Sequence, residues 1–221
     1  MTSVLANAVR ACDYIATFRE WSFAAPFDDK PWRLTAQAPE IISALLATLG
    51  GDYVLREGVA VHRSATVEVN AVVKGPTIIG AACFVANSAS LRGGVFLGEG
   101  CTIGPATEVK SSFMFPGSKL AHLNFVGDSI LGANVNCEAG SIIANYRNEL
   151  ADKRIRIMAE GGVIETDVDK FGALVGDGAR IGANAVIAPG ALVRPGTIIP
   201  RLGLVDQLPS PSSDGGLRHD P

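Results

Sequence analysis

The chain has 221 residues, of which 48% are hydrophobic and 6% aromatic, with a formal net charge of −3. This length suits one domain with attachments, and the charge balance gives no basis for nucleic-acid binding. No apolar run is long enough to span a bilayer, and Arg10, Asp13, Arg19 and Glu20 interrupt the N-terminus where a secretory leader would be uncharged, so the expected compartment is the cytosol.

Residues 2–21 read as an amphipathic helix, through Val4, Leu5, Val9, Cys12, Ile15 and Phe18 at a spacing of three to four. The loop at residues 24–29 breaks it, and a second helix is expected over 38–49, stopped by Gly50-Gly51. Residues 1–58 are therefore expected to form a helical cap on the end of whatever follows.

From Val61 an aliphatic residue or Phe recurs every six positions: Val61, Val67, Val73, Ile79, Val85, Leu91, Leu97, Ile103, Val109, Phe115. A small residue sits four positions after most of these, as at Ala65, Ala71, Cys83, Ala89 and Cys101. A period of six is neither helical nor simple alternation. It marks a hexapeptide-repeat solenoid, in which three short strands make one triangular coil. Residues 18 apart then stack in neighbouring coils, about 4.8 Å apart.

The phase breaks over residues 119–128, where about four extra residues are expected to bulge out, and resumes at Leu131, Cys137 and Ile143. A charged insertion follows at 145–170, and alternation in Arg154–Met158 makes a small hairpin arm plausible. The repeat restarts at Val175, Ile181, Ile187, Val193 and Ile199. The solenoid thus spans 59–205, in about six coils. Residues 206–221, rich in Pro, Ser, Gly and Asp, are expected to be a disordered tail.

Stacking turns spacing into columns. Lys74, Arg92 and Lys110 each follow an inward residue and are 18 apart, so three cations line one edge. Like charges so close repel unless an anion lies among them, and phosphate is the natural guest. The plainer reading is a solvated basic stripe. His122 falls in the expected bulge and is placed one coil above this column, facing the same crevice, as a candidate general base. A lone loop histidine is more often a surface residue. The three histidines, His62, His122 and His219, do not share a column, so no metal site is expected. Cys83 and Cys101 stack but suit disulfide geometry badly, and they read as small buried hydrophobes.

The runs Glu108-Val109-Lys110, Gly117 to Asp128, Asn134 to Gly140, Asn145-Tyr146 and Lys170 to Asp177 resemble the acetyltransferase domain of bifunctional N-acetylglucosamine-1-phosphate uridyltransferases. They are similar also to the stand-alone and archaeal sugar-1-phosphate acetyltransferases, over about Val59 to Leu204. The glycine-rich signature of the uridyltransferase domain is absent and the N-terminal preface is too short for one, so nucleotidyl transfer is not implied.

The resemblance implies an all-β solenoid, a left-handed parallel β-helix of hexapeptide repeats with a short N-terminal helical region. The hand comes from the resemblance alone, since crossovers are otherwise right-handed. It further implies a homotrimer and acetyl transfer from acetyl-CoA to the amine of an amino-sugar phosphate, without nucleic acid or membrane. His122 matches the base that deprotonates the amine. Arg92 and Lys110 match phosphate ligands, and Asn136, Asn145 and Tyr146 match sugar-binding positions. The backbone N–H of Ala139 matches an oxyanion donor at the acyl-donor site. Lys170 matches a lysine near the substrate.

Three positions depart from the family pattern. Phe125, at a substrate-binding position, replaces a Tyr. Ala183 replaces a Ser near the acyl donor, and Glu138 replaces a Gly. Cys137 lies at an inward position and is not read as a nucleophile. A non-catalytic β-helical binding or assembly module, and a longer-chain acyltransferase, are the alternative functions.

Overall fold

The computed structural model describes residues 9–160 and 162–208. Its strands stack in parallel as three faces of a prism. The first face runs from Val59–His62 through Thr77–Ile79, the ends of Ser90–Leu97 and Glu108–Met114, and Ile130–Leu131 to Ala173–Val175 and Ala191–Val193. The second face is a seven-stranded sheet from Thr66–Val67 to Ile198–Ile199. The third runs from Val72–Val73 through residues 90–92, 108–110, Phe125–Gly127 and Ile142–Ile143 to Val186–Ile187 and Leu204–Val205. The seven strands of the second face make seven coils, one more than the repeat count anticipates. The architecture is the expected all-β solenoid, a left-handed parallel β-helix of hexapeptide repeats.

The period of six follows from the section of the prism. Each face contributes one inward side chain; Val85, Leu91, Leu97 and Ile103 fill the interior with no exposed surface, while Val61, Val67, Val73 and Val205 of the end coils are partly exposed. Corners turn through one residue in the left-handed region, at Ala82, Ser88, Ala106, Leu123, Asn134, Asn184 and Leu202 among others. Cys83, Cys101 and Cys137 are buried free thiols. Burial pushes Cys137 up to about 12; the neighbouring Cys83 thiol and burial raise Cys101, while the same neighbour lowers Cys83.

The expected bulge at 119–128 is corrected. Lys119–Leu120 and Phe125–Gly127 are regular strands, in register with Thr102–Ile103 and Glu108–Lys110. The phase shift comes from one residue lost in each of two successive coils. Leu97 pairs with Met114 and Met114 with Leu131, 17 residues apart in each case. Met114 is therefore the inward residue, and Phe115 faces out, packing its ring 5.9 Å from Phe18 and 5.5 Å from Trp21.

The N-terminal reading is also corrected. Val4 and Leu5 lie outside the described residues. Over 9–21 the chain forms only 3-10 turns at Ala11–Asp13 and Phe18–Glu20. Tertiary partners override the helical pattern: Cys12 N–H donates to Asp28 Oδ1 (2.7 Å), and Ala16 N–H donates to Asp177 Oδ2 (2.9 Å). Two helices follow, α1 (Pro31–Ala36) and α2 (Ala38–Leu46). This region does not sit on the solenoid's end as a helical cap. It lies along the first face, where Ile15, Phe18, Leu34, Ala38 and Ile42 bury against outward-facing Ile78, Phe96, Phe113, Ile130 and Leu174. The edge of the first coil is covered by a strand, Tyr53–Arg56, paired antiparallel to Val59–His62.

The arm is a hairpin of Arg156–Ala159 and Gly162–Glu165, and it folds Ile155 and Ile157 back onto the same lateral core. Buried Arg147 anchors it by donating to Asp206 (2.7 and 2.9 Å) and to the Pro189 carbonyl (2.9 Å). Asp206 is lowered by that guanidinium. The expected tail therefore begins later than 206, since Gln207 also exchanges hydrogen bonds with the Leu192 main chain. Residues 209–221, including His219, lie outside the described residues.

Candidate active site

The predicted residues gather on the third face and its two edges. At the edge shared with the first face, Arg92 is in register with Lys110, and Lys74 stacks under Arg92 because Val73 pairs with Leu91. The expected column of three cations is present. Its anions, however, come from the chain itself: Arg92 Nε donates to Glu108 Oε1 (2.8 Å), and Lys110 Nζ donates to both oxygens of Asp128 (2.9 and 3.2 Å). Arg92 and Glu108 are partly solvated, whereas the Lys110 and Asp128 side chains are only 18% and 7% exposed. Lys74 is exposed and has no ion-pair partner among the described residues.

Asn145 joins this network by donating from Nδ2 to Asp128. Gly127 makes that possible: a Cβ there would come within 2.6 Å of Asn145 Nδ2 and 2.9 Å of Phe125. The arm leaves and re-enters at this edge, where Phe171 N–H donates to the Asn145 carbonyl (3.1 Å). That brings exposed Lys170 beside Asn145. Tyr146 is exposed, with Lys153 Nζ 5.4 Å from its ring centroid.

The opposite edge, shared with the second face, carries His122. Leu120 pairs with Cys137 and Cys137 with Ile181, so two residues further on His122, Ala139 and Ala183 form a second column. Gly140 N–H donates to the His122 carbonyl (3.0 Å), and Asn184 N–H to the Ala139 carbonyl (2.9 Å). The N–H of half-buried Ala139 has no acceptor among the described residues. The His122 side chain is exposed and likewise has no hydrogen-bond partner among them. The next residue, Leu123, turns the corner at φ +57°. Buried Asn124 ties this turn to the coil above, donating to the Glu138 carbonyl and to Ser141 Oγ, both at 2.8 Å.

Glu138 is tied to the next coil although its side chain is 39% exposed. Its carboxylate accepts from Arg201 (2.8 and 2.9 Å) and from the Ala183 N–H (2.9 Å), and these bonds hold it below the usual carboxylate range.

The placement of His122 directly above the basic column is corrected. Twelve residues from Lys110 is two thirds of a coil, so His122 stands at the other end of the third face. The strand Phe125–Gly127 separates the two edges, roughly 10 Å of extended chain. Phe125 lies between them, half-buried, while exposed Asn136 points from the second face. Glu108, Asp128, Asn124 and Arg201 were not singled out from sequence. The register partner of Lys110 is Gly127, so spacing by 18 does not by itself find the pair with Asp128.

No family model matches the chain. Curated relatives do. The bifunctional protein GlmU of Alkalilimnicola ehrlichii is 38% identical over 110 residues, 47% of this chain and 23% of that protein. GlmU of Synechococcus sp. strain CC9902 is 52% identical over 58 residues, 26% of this chain and 13% of the relative. The bifunctional sugar-1-phosphate nucleotidylyltransferase/acetyltransferase of Sulfurisphaera tokodaii is 40% identical over 86 residues, 39% and 21% respectively. This chain resembles the hexapeptide-repeat acyltransferases. The chain spans about a quarter or less of the length of these bifunctional relatives. Among solved structures, the acetyltransferase domain of PglB from Neisseria gonorrhoeae FA1090 aligns with 76% of this chain and 64% of its own, at 19% identity and a TM-score of 0.40, too loose a likeness to support anything further.

Against that family pattern the three departures now have surroundings. Phe125 keeps the ring but supplies no hydroxyl, Ala183 supplies only its main chain, and Glu138 bridges two coils. Among the described residues no helix is long and apolar enough to cross a membrane, and no group of three or more His, Cys, Asp or Glu is arranged to hold a metal.

Proposed function

We propose that this chain is an acetyl-CoA-dependent N-acetyltransferase acting on an amino-sugar phosphate of the glucosamine-1-phosphate type. The observation that carries the reading is the second column. His122 stacks one coil below an uncommitted, half-buried N–H at Ala139, with Ala183 next in line. Acyl transfer to an amine needs these two parts side by side: a base to take the ammonium's proton, and a fixed donor for the tetrahedral oxyanion. His122 takes the proton as the amine lone pair attacks the thioester carbonyl. Ala139 N–H holds the developing oxyanion; as it collapses the C–S bond breaks, and the protonated His122 gives its proton to the departing thiolate of coenzyme A. No covalent enzyme intermediate is needed, in keeping with inward-facing Cys137.

The sugar lies along the third face over Phe125, with Arg92, Lys110, Asn145 and Lys170 toward its phosphate end. Asn136 and Tyr146 complete the sugar contacts. Asn136 points from a different face, which suits a homotrimer in which a neighbouring copy closes each site.

A release assay for free thiol, with glucosamine 1-phosphate and acetyl-CoA, tests this. His122→Ala is expected to lower turnover by about 100-fold or more while the protein stays folded. Retention of most activity removes His122 from the mechanism. The neutralisation of Arg92 and Lys110 by Glu108 and Asp128 favours one rival, a non-catalytic module that keeps the pocket without the chemistry. Calorimetry separates the two, because the rival shows no acetyl-CoA binding at millimolar ligand.

A further inference from the structure

The corner between the first and second faces lies away from both site columns, and there the N-terminal region and the first coils enclose a cavity of about 460 Å³. Small-molecule sites have this size, with mostly apolar walls and a few convergent polar groups. Its aromatic wall is Trp21, Phe23 and Phe96, with ring centroids 4.9 to 5.6 Å apart and planes inclined by 54 to 75°. Tyr53 lines it too, set edge-on to His62 at 5.1 Å. Rings of different inclination thus make up much of its apolar wall.

The lining contains two carboxylates, Asp52 and Glu99, both on exposed residues, and no lysine or arginine. Neither carboxylate has an ion-pair partner among the described residues. Arg63, next to His62 in the chain, spends its Nε on the Gly51 carbonyl (3.1 Å). His62 is engaged at Nδ1 by Ser64 Oγ (2.8 Å).

We propose that this cavity binds an organic ammonium ion with a small apolar body. Aromatic faces attract a cation through the ring quadrupole, most strongly once it is desolvated. Two unpaired carboxylates add a field of the right sign. The same carboxylates repel phosphate-bearing ligands, so this site is separate from the acyl-transfer reading and does not depend on it.

The test uses the full chain, with choline as the probe and its uncharged isostere 3,3-dimethylbutan-1-ol as the control. Ligand-observed NMR and tryptophan fluorescence follow both titrations. Choline is expected to bind saturably in the millimolar range, about tenfold more tightly than the isostere. The doubly substituted Asp52→Asn/Glu99→Gln chain is expected to lose most of that preference while melting at the native temperature. Equal binding of the two probes, a preference that survives the double substitution, or no saturable choline binding each overturns the proposal.

Discussion

Asp128 is where the proposed phosphate end of the site and the stability of the solenoid meet, and Asp128→Asn isolates its charge. The residue is at φ +45°, a conformation asparagine also tolerates, so the substitution adds no backbone cost. Lys110 Nζ and Asn145 Nδ2 both donate to Asp128 Oδ2, and Lys110 Nζ also reaches Oδ1 at 3.2 Å. An amide whose oxygen takes the place of Oδ2 keeps those two bonds without the charge, and its N–H then faces Lys110 Nζ where Oδ1 stood. Hydrogen bonds to charged groups contribute about 1.5–3 kcal/mol, and breaking a fully buried ion pair costs about 3–5 kcal/mol. Lys110 keeps 18% of its side chain in water, which moderates the loss. The expected cost is about 2 kcal/mol, or a fall in Tm of roughly 4–8 °C for a chain of this size. Thermal and urea unfolding at fixed protein concentration measure it. The cycle with Lys110→Met then isolates the pair, with an expected coupling of about 1–2 kcal/mol. A coupling below about 0.5 kcal/mol would show that the two groups are effectively solvated. In that case Lys110 is not held in place for any ligand.

Two further outcomes follow from local geometry. Asp28 is half of an anchor for the N-terminal segment. Burial opposes its charge, but the Cys12 N–H and the Arg19 guanidinium outweigh burial and hold its carboxyl below the usual 3.8. A depressed carboxylate contributes stability that is complete above its unfolded pKa and fades as pH falls through the folded one. The stability advantage of the native chain over Asp28→Asn is therefore expected to be level at neutral pH and to shrink only below about pH 4; an advantage that shrinks on raising the pH instead contradicts the assignment. Leu123 is 63% exposed at φ +57°, so Leu123→Gly removes strain without a core loss. The variant is expected to gain about 0.5–1 kcal/mol in urea unfolding, and an unchanged or lower midpoint means the turn is not strained.

What the amino-acid sequence determined by itself was everything encoded by local spacing. Six-residue periodicity specifies a triangular coil because each face admits one inward side chain and each corner one small residue. Alternation in Arg154–Met158 announced the hairpin. Spacing by 18 placed Lys74, Arg92 and Lys110 in one column.

Tertiary structure decided the rest, because it depended on which of two equally suitable side chains faced inward or on partners distant in the chain. Met114 and Phe115 are both apolar, and only the aromatic wall of Phe18 and Trp21 draws Phe115 outward, shortening two coils and turning an apparent insertion into a deletion. The spacing of residues 2–21 suits a helix, yet over 9–21 Asp28 and Asp177 claim backbone N–H groups that a helix would use internally. His122 is legible as a candidate from its motif, but its position depends on how far round the coil twelve residues reach. That placed it on the edge opposite the cations, beside the free N–H of Ala139, because a coil closes after 17 or 18 residues and not after 12.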